Sequence, residues 1–181
     1  MRYLALLRGI NVSGKRIIRM DDLKAMIFQL GFANCQTYIQ SGNVIFDTQL
    51  NDEITIANQI KLAIHKQYGF DVPVIVLKKV DFQEMISKNP FSINDKISVD
   101  SLHVSFLGSY PSEENQKALL SFNSTPDQFS IGSRAIYLFC VGKYSDTKLT
   151  NAIIEKRLDL IVTTRNWKTC LALNDLLNKN G

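Results

Sequence analysis

The sequence predicts an α+β protein built from two ferredoxin-like βαββαβ units in tandem, followed by an extra C-terminal helix. The main observation is the element order strand, helix, strand, strand, helix, strand, which runs through residues 3–77 and occurs again from Leu102. No residue-by-residue repeat accompanies it, so the two halves are similar in element order only. A chain of 181 residues with 45% hydrophobic and 21% charged residues is long enough for one or two globular domains.

The first unit begins with a strand and an amphipathic helix. Residues 3–8 are apolar on both sides, which is typical of a central strand covered on both faces. In the following helix, apolar residues recur at helical spacing. Either Asp21 or Asp22 can accept from the first free amides of that helix, and Gly31 ends it.

The rest of the first unit is a hairpin, a second helix and a closing strand. Residues 35–40 and 44–47 are rich in strand formers and flank the tight turn 41–43. A helix capped by Asn51 or Asp52 follows, and the strand 72–77 closes the unit. Pro73 at the beginning of that strand favours an edge position.

The second half repeats this order after a linker. Asp81 and Glu84 form a capping box for a short helix that ends at Ser87, and a polar run follows. We therefore predict a first subdomain at 1–80, a linker with a short helix at 81–100, and a second subdomain with the extra helix at 101–181. The predicted elements are strand 102–107, helix 112–122, strands 127–131 and 135–140, helix 146–158, strand 161–163 and helix 166–178.

A basic, glycine-containing loop after the first strand is the first candidate site. The segment 1–20 holds five basic residues and no acidic one. Gly9 and Gly14 let the main chain approach a ligand closely, and free amides beside guanidinium and ammonium groups suit a phosphate or carboxylate. The alternative is a solvated loop whose glycines serve the turn and whose cations serve solubility.

The topology predicts which side chains meet this loop. In a ferredoxin-like unit the third strand lies between the first and the second, so the end of the first strand and the hairpin turn share one edge of the sheet. The predicted ligand-binding residues are Arg8, Asn11, Lys15, Arg16, Ser41 and Asn43.

A second candidate cluster is expected in the second unit, at the opposite edge of its sheet. It consists of Lys143, Tyr144, Arg165 and Asn166, placed at the beginnings of two predicted helices, where free amides beside cations again suit an anion. The alternative is structural: threonines and serines cap the helices, Trp167 is in the core, and Arg165 meets an acidic neighbour.

Composition and residue spacing disfavour several other classes. A net charge of +4 and a pI of about 8.9 favour anionic partners without requiring nucleic acid. The apolar stretch 3–7 is too short for a signal peptide or a membrane span, so we expect a cytoplasmic protein with no membrane partner. Three dispersed cysteines and two isolated histidines indicate no disulfide framework, no metal site and no cofactor.

Three stretches of the chain resemble the signature stretches of domain-of-unknown-function family 1697, whose members are small, mostly bacterial proteins. They are 8–12 (RGINV), 37–44 (TYIQSGNV) and 164–169 (TRNWKT), and the resemblance spans the whole chain in order. Ser13 stands where the family usually carries a second glycine, and Thr164 where alanine is common. The resemblance implies an α+β fold of two subdomains and supplies no established activity.

These observations leave several functions open. The first hypothesis is a module that binds a phosphorylated small molecule or a nucleotide through the basic loop, with Asn11 and Asn43 orienting it. The second is a phosphate or acyl-phosphate hydrolase in which Arg8 binds the phosphoryl group and Asn43 positions a water, although no general base is evident.

The third hypothesis is RNA binding on the sheet face, and the fourth is a module that acts only through protein partners. Strand segments 4–7 and 44–45 offer aliphatic side chains instead of the aromatic and basic pattern that RNA recognition needs. They predict that this face is buried by the other unit or by a second chain. The sequence leaves the ligand, any catalytic residue and the oligomeric state undetermined.

Overall fold

The computed structural model describes residues 1–179 and has the α+β fold of two tandem ferredoxin-like units. The chain divides into two compact units, one at Met1–Phe82 and the other from Gln83 onward. The first unit contains β1 (Arg2–Leu7), α1 (Met20–Gln29), β2 (Ala33–Tyr38), β3 (Asn43–Asp47), α2 (Glu53–Tyr68) and β4 (Val74–Lys78). The predicted domain limits, with a linker at 81–100, stay a prediction.

The elements from Lys79 onward are α3 (Lys79–Ser87), β5 (Leu102–Leu107), α4 (Glu113–Leu120), β6 (Gln128–Ile131), β7 (Ala135–Phe139), α5 (Asn151–Leu158), β8 (Val162–Asn166) and α6 (Trp167–Lys179). Short 3₁₀ turns lie at Val99–Ser101 and Tyr144–Asp146. The helix α3 begins at Lys79, so Asp81 lies in its first turn and the predicted capping box at Asp81 is wrong.

The first sheet has the strand order β2-β3-β1-β4 with antiparallel neighbours throughout. The third strand therefore lies between the first and second, as predicted. In this register Leu6 lies opposite Asn43, and Leu7 lies opposite Val74. Consequently the end of β1 meets the beginnings of β3 and β4 at one edge of the sheet.

Both faces of β1 are buried, as its apolar sequence predicted. On one face Tyr3, Ala5 and Leu7 join a core with residues of α1 and α2. On the other face Leu4 and Leu6 are 0% exposed, although neither belongs to that core. Burial of successive residues on both faces explains why the strand shows no alternation of polar and apolar residues.

The helix α1 begins differently from the prediction. Its N-cap is Arg19, whose side chain makes no capping bond, and Asp21 and Asp22 lie inside the first turn. The predicted capping by an aspartate is therefore wrong for this helix, although carboxylates in a first turn still interact favourably with the helix dipole. In α2 the prediction of Asp52 is confirmed, because its carboxylate accepts from the amides of Ile54 and Thr55. The hydroxyl of Thr55 also donates to this carboxylate, and this bond, followed by the amide bonds, lowers the pKa of Asp52.

The second sheet has the equivalent order β6-β7-β5-β8. The helices α4 and α5 pack on one face, and α6 packs against β5 and β8. Two boundaries differ from the prediction. The segment after Gly142 forms only the 3₁₀ turn, and α5 begins at Asn151 behind the N-cap Thr150. The strand β8 continues to Asn166, whose Oδ1 accepts from the amide of Thr169 and so caps α6.

Candidate functional site

The sheet edge at the end of β1 brings the predicted loop and the hairpin turn together. The amide of Leu7 donates to the carbonyl of Gly42 over 2.8 Å, and the amide of Arg8 donates to the carbonyl of Pro73 over 3.0 Å. The chain leaving β1 is thus held between the turn 39–42 and the beginning of β4. The backbone therefore places the loop next to the hairpin turn, as predicted.

The basic loop, residues 8–16, ends in a miniature hairpin. The amide of Asn11 donates to the carbonyl of Arg16 over 3.2 Å, and the amide of Lys15 donates to the carbonyl of Val12 over 3.0 Å. At the tip, Ser13 and Gly14 have φ values of +49° and +73°, which is the pattern of a type I′ turn. Ser13 therefore adopts a positive φ, a conformation that favours glycine.

The side chain of Asn11 closes the loop. Its Nδ2 donates to the carbonyls of Ile18 over 2.9 Å and Gln40 over 3.0 Å, and its Oδ1 accepts from the amide of Ile18 over 2.8 Å. The side-chain amide of Asn11 therefore connects the loop to Ile18, shortly before α1, and to the hairpin turn. Asn11 is committed to the backbone, so we assign it to holding the loop and not to orienting a ligand.

Asn43 and Ser41 serve the hairpin turn. Asn43 begins β3 and is 0% exposed, and its Nδ2 donates to the carbonyl of Tyr38 and to Oγ of Ser41. The turn that they stabilise contains Ile39 at φ +48° and Gly42 at φ +78°. A fully buried amide with two partners is unsuited to positioning a water on a substrate, so we leave Asn43 out of the contacts proposed below.

The cations of the loop are exposed, with Arg8 half-buried. Within residues 1–179, neither Lys15 nor Arg16 forms an ion pair with a carboxylate. A Cβ added at Gly9 would lie 3.3 Å from Nη1 of Arg16, so that guanidinium returns across the loop to the residue that follows Arg8. The absence of a side chain at Gly9 leaves room for this return.

A cleft of about 370 Å³ lies beside the loop, and the sequence did not predict it. Its lining includes Asn11, Ile17, Met20, Asp21 and Gln40. The sequence did offer a sign that Asp21 lies near the loop, since it is the first acidic residue after the basic segment. It was interpreted as a helix cap instead, because the sequence does not fix which residue begins a helix.

The second predicted cluster is divided between the two faces of its sheet. Because side chains alternate along a strand, Arg165 faces away from Thr164 and Asn166. Arg165 is 8% exposed, and its Nη1 donates to Oγ1 of Thr163 and to the carbonyl of Thr164. Burial lowers its pKa to about 10. Arg165 is thus a buried structural cation.

The other three members of this cluster do not form an anion site either. Tyr144 and Asn166 have structural partners, and Lys143 lies beside no α-helix. Tyr144 stacks on His103 with ring centroids 4.5 Å apart, and Asn166 caps α6. Lys143 is exposed at the N-cap of the short 3₁₀ turn Tyr144–Asp146, where its side chain makes no capping bond. The prediction that Lys143 and Arg165 lie at the beginnings of two helices is wrong, because α5 begins at Asn151 and Arg165 lies within β8.

A cluster of buried polar side chains that the sequence did not predict lies on the face of the second sheet that α4 and α5 cover. Oγ of Ser105 lies 2.6 Å from Oγ1 of Thr164, which also donates to Oδ1 of Asn151 over 2.6 Å. His103, two residues along β5, is 8% exposed, and its Nδ1 has no hydrogen-bond partner. Burial lowers the pKa of His103 below its ordinary value of 6.5.

This lowered pKa predicts a loss of stability in mild acid. The unfolded chain takes up the His103 proton first as the pH falls, so the contribution of the neutral ring is complete above about pH 6.5 and declines below it. We expect a slope of at most about 1.4 kcal/mol per pH unit, since one proton is involved. Urea unfolding at pH 7.5 and 5.5 measures the slope. His103→Gln should reduce it. Equal slopes in wild type and His103→Gln would contradict the assignment.

Residues 1–179 contain no group of three or more His, Cys, Asp or Glu side chains arranged to hold a metal ion. None of their helices combines the length and the hydropathy that crossing a membrane requires.

Comparisons with known proteins give a family and a fold. The family model described as "Protein of unknown function (DUF1697)" matches residues 1–137. The solved structure of conserved bacterial protein SP0830 from Streptococcus pneumoniae is similar to this chain at 24% sequence identity and a TM-score of 0.74. The match covers 97% of this chain and 98% of that chain, and it concerns the fold alone. No curated protein gives a significant match.

Proposed function

The chain belongs to the DUF1697 family of proteins of unknown function, and we propose that it binds a phosphate-containing small molecule or nucleotide at the basic loop. Arg16 and Lys15 supply the charge, with Arg8 at the base of the loop and the backbone amides beside them. Asn11, Ser41 and Asn43 hold the framework. The proposal is supported by one observation above all, the concentration of unfavourable backbone conformations at this place.

Within residues 1–179, six non-glycine residues have positive φ, and four of them lie in the basic loop or the facing turn: Asn11, Ser13, Arg16 and Ile39. Each such residue costs on the order of 1–3 kcal/mol and persists only where its surroundings fix it. Here the Asn11 side chain and the Leu7–Gly42 bond fix them. Strain of this kind concentrates at ligand-binding loops, where it pre-organises the site.

The charge distribution supports an anion. The guanidinium of Arg16 returns toward Gly9 and is not neutralised by a carboxylate within residues 1–179. A planar guanidinium donates two parallel bonds to a phosphate, and an ammonium adds a point charge. A pre-organised loop with both groups loses little conformational entropy on binding.

The alternative functions receive less support. The hydrolase hypothesis assigned a water to Asn43, whose amide is fully buried and committed to the turn. RNA recognition on the sheet face requires exposed side chains, and there Leu4, Leu6 and Ile45 are at most 1% exposed.

Arg16→Ala tests the proposal. We expect this variant to bind inorganic pyrophosphate and ADP at least tenfold more weakly, which corresponds to about 1.4 kcal/mol, because the bidentate donor is lost. Isothermal titration calorimetry at low ionic strength measures the affinity, and added salt should weaken it. Arg16→Lys should fall between wild type and Arg16→Ala, because it keeps the charge and loses the fork.

The matched control is Lys66→Ala, which removes one exposed positive charge from α2, a helix that contributes no residue to the loop or the cleft. This variant should bind pyrophosphate as wild type does. If Arg16→Ala and Lys66→Ala reduced the affinity equally, the binding would reflect net charge and the proposed site would be refuted.

A further inference from the structure

We infer that the basic loop and the neighbouring cleft form one site for a nucleoside phosphate, with the phosphate at Arg16 and Lys15 and the nucleoside in the cleft. This inference rests on the proposed function, which it deepens by naming the class of ligand. The cleft joins the loop through Asn11, which lines the cleft and whose amide closes the miniature hairpin.

The size of the cleft exceeds what a phosphate alone requires. Its volume of about 370 Å³ lies in the range of about 300–1,000 Å³ that is typical of pockets for organic ligands. It lies between the first turn of α1 and the hairpin turn, so a ligand with its phosphate on the loop has space for a second, neutral part. A site for inorganic phosphate alone would leave this space unused.

The cleft contains a carboxylate, which the loop lacks, together with one further cation, because Asp21 and Arg19 both line it. Asp21 lines the cleft, is exposed, and forms no ion pair within residues 1–179. Its carboxylate repels a phosphate and accepts hydrogen bonds from hydroxyl or amino groups. The ligand that satisfies both parts carries an anionic group at one end and hydrogen-bond donors at the other, as ribose hydroxyls do.

The apolar part of the cleft favours a nucleoside over a simple sugar. Ile17 is 55% exposed and lines the cleft together with Met20. These side chains offer a surface to the flat face of a base, whereas a sugar phosphate has no such face. Gln40, also in the lining, has a side-chain amide with both a donor and an acceptor for a base edge.

Three probes separate the parts of the site: inorganic pyrophosphate, ribose 5-phosphate and the four common nucleoside monophosphates, each measured by calorimetry on the full chain. We expect at least one nucleoside monophosphate to bind tenfold or more tightly than ribose 5-phosphate. Ile17→Ser should remove most of this preference without changing the affinity for ribose 5-phosphate. A wild-type protein that binds all nucleotides no better than ribose 5-phosphate would overturn the inference.

Asp21→Asn tests the carboxylate, and Asp22→Asn in the same helical turn is its control, because Asp22 does not line the cleft. Asp21→Asn should weaken nucleotides and ribose 5-phosphate about fivefold or more and leave pyrophosphate unchanged or tighter, while Asp22→Asn should affect none of them. Equal effects of both variants would refute the role of Asp21.

The failures of the two proposals are distinguishable. If Arg16→Ala loses pyrophosphate binding but the wild-type protein shows no preference for nucleotides, the proposed function stands and the nucleoside part of the inference is refuted. Pyrophosphate binding that Arg16→Ala does not change overturns both.

Discussion

Gly42→Ala is expected to destabilise the protein by about 2–5 kcal/mol and to abolish anion binding at the basic loop. An added Cβ would lie 2.7 Å from Cβ of Leu7 and 2.9 Å from Cδ1 of Ile10, and the residue would have to keep φ at +78°. Cβ of Leu7 is fixed to the central strand and cannot move aside. The turn would therefore shift, and with it the Leu7–Gly42 bond that anchors the loop.

Gly14→Ala is the matched control for this prediction. Gly14 has a similar φ of +73°, but an added Cβ there meets nothing within 4 Å. Only the conformational cost of about 1–2 kcal/mol remains. Urea unfolding of both variants measures the difference. Equal losses would show that the close packing of Gly42 against Leu7 and Ile10 is unimportant.

Asn11→Ala is expected to cost about 2–4 kcal/mol and to weaken pyrophosphate binding at least tenfold. The variant loses three hydrogen bonds and leaves the amide and carbonyl of Ile18, a residue that is 1% exposed, without those partners. Alanine also tolerates φ of +55° less well than asparagine does. The unfolding free energy and the affinity measured on the same variant test both parts.

Asn34→Ala provides the comparison. Asn34 has a φ of +51° but is exposed, and its side chain makes one hydrogen bond, from Nδ2 to Asp47. Its replacement should cost less than half as much and leave the affinity unchanged. Asn11→Asp should stay close to Asn11→Ala in affinity, because a carboxylate keeps the bond from the Ile18 amide but cannot donate to the two carbonyls. Equal costs at Asn11 and Asn34 would contradict the closing role of Asn11.

The fold was predictable from periodicity and topology. The apolar run of β1, the helical spacing in α1 and the hairpin around residues 39–42 specify a ferredoxin-like order, and that order alone places the loop beside the turn. The individual roles of Asn11 and Asn43 were not predictable. Which carbonyl an amide reaches depends on backbone dihedrals such as φ of +55° at Asn11, which the sequence does not specify.

The second cluster was predicted wrongly because the end of β8 and the beginning of α5 were misplaced. Extending β8 to Asn166 places Arg165 in a strand, where alternation turns it away from Thr164, and beginning α5 at Asn151 separates Lys143 from any α-helix. A shift of a few residues thus changes a predicted anion site into a buried arginine and a helix cap. The cleft at Asp21 was missed for a similar reason, because the beginning of α1 was placed at an aspartate instead of Met20.

The most direct measurement is a titration of the ¹⁵N-labelled protein with inorganic pyrophosphate, followed by two-dimensional NMR of the backbone amides. If the closed, cationic loop is the site, the signals of Gly9, Gly14 and Arg16 shift and saturate together with one dissociation constant. The Trp167 indole signal, from a side chain that is 5% exposed in the second unit, stays in place. Signals of Gly9 and Gly14 that remain unmoved, or small unsaturated shifts spread over all exposed lysines, would contradict an anion site at residues 8–16.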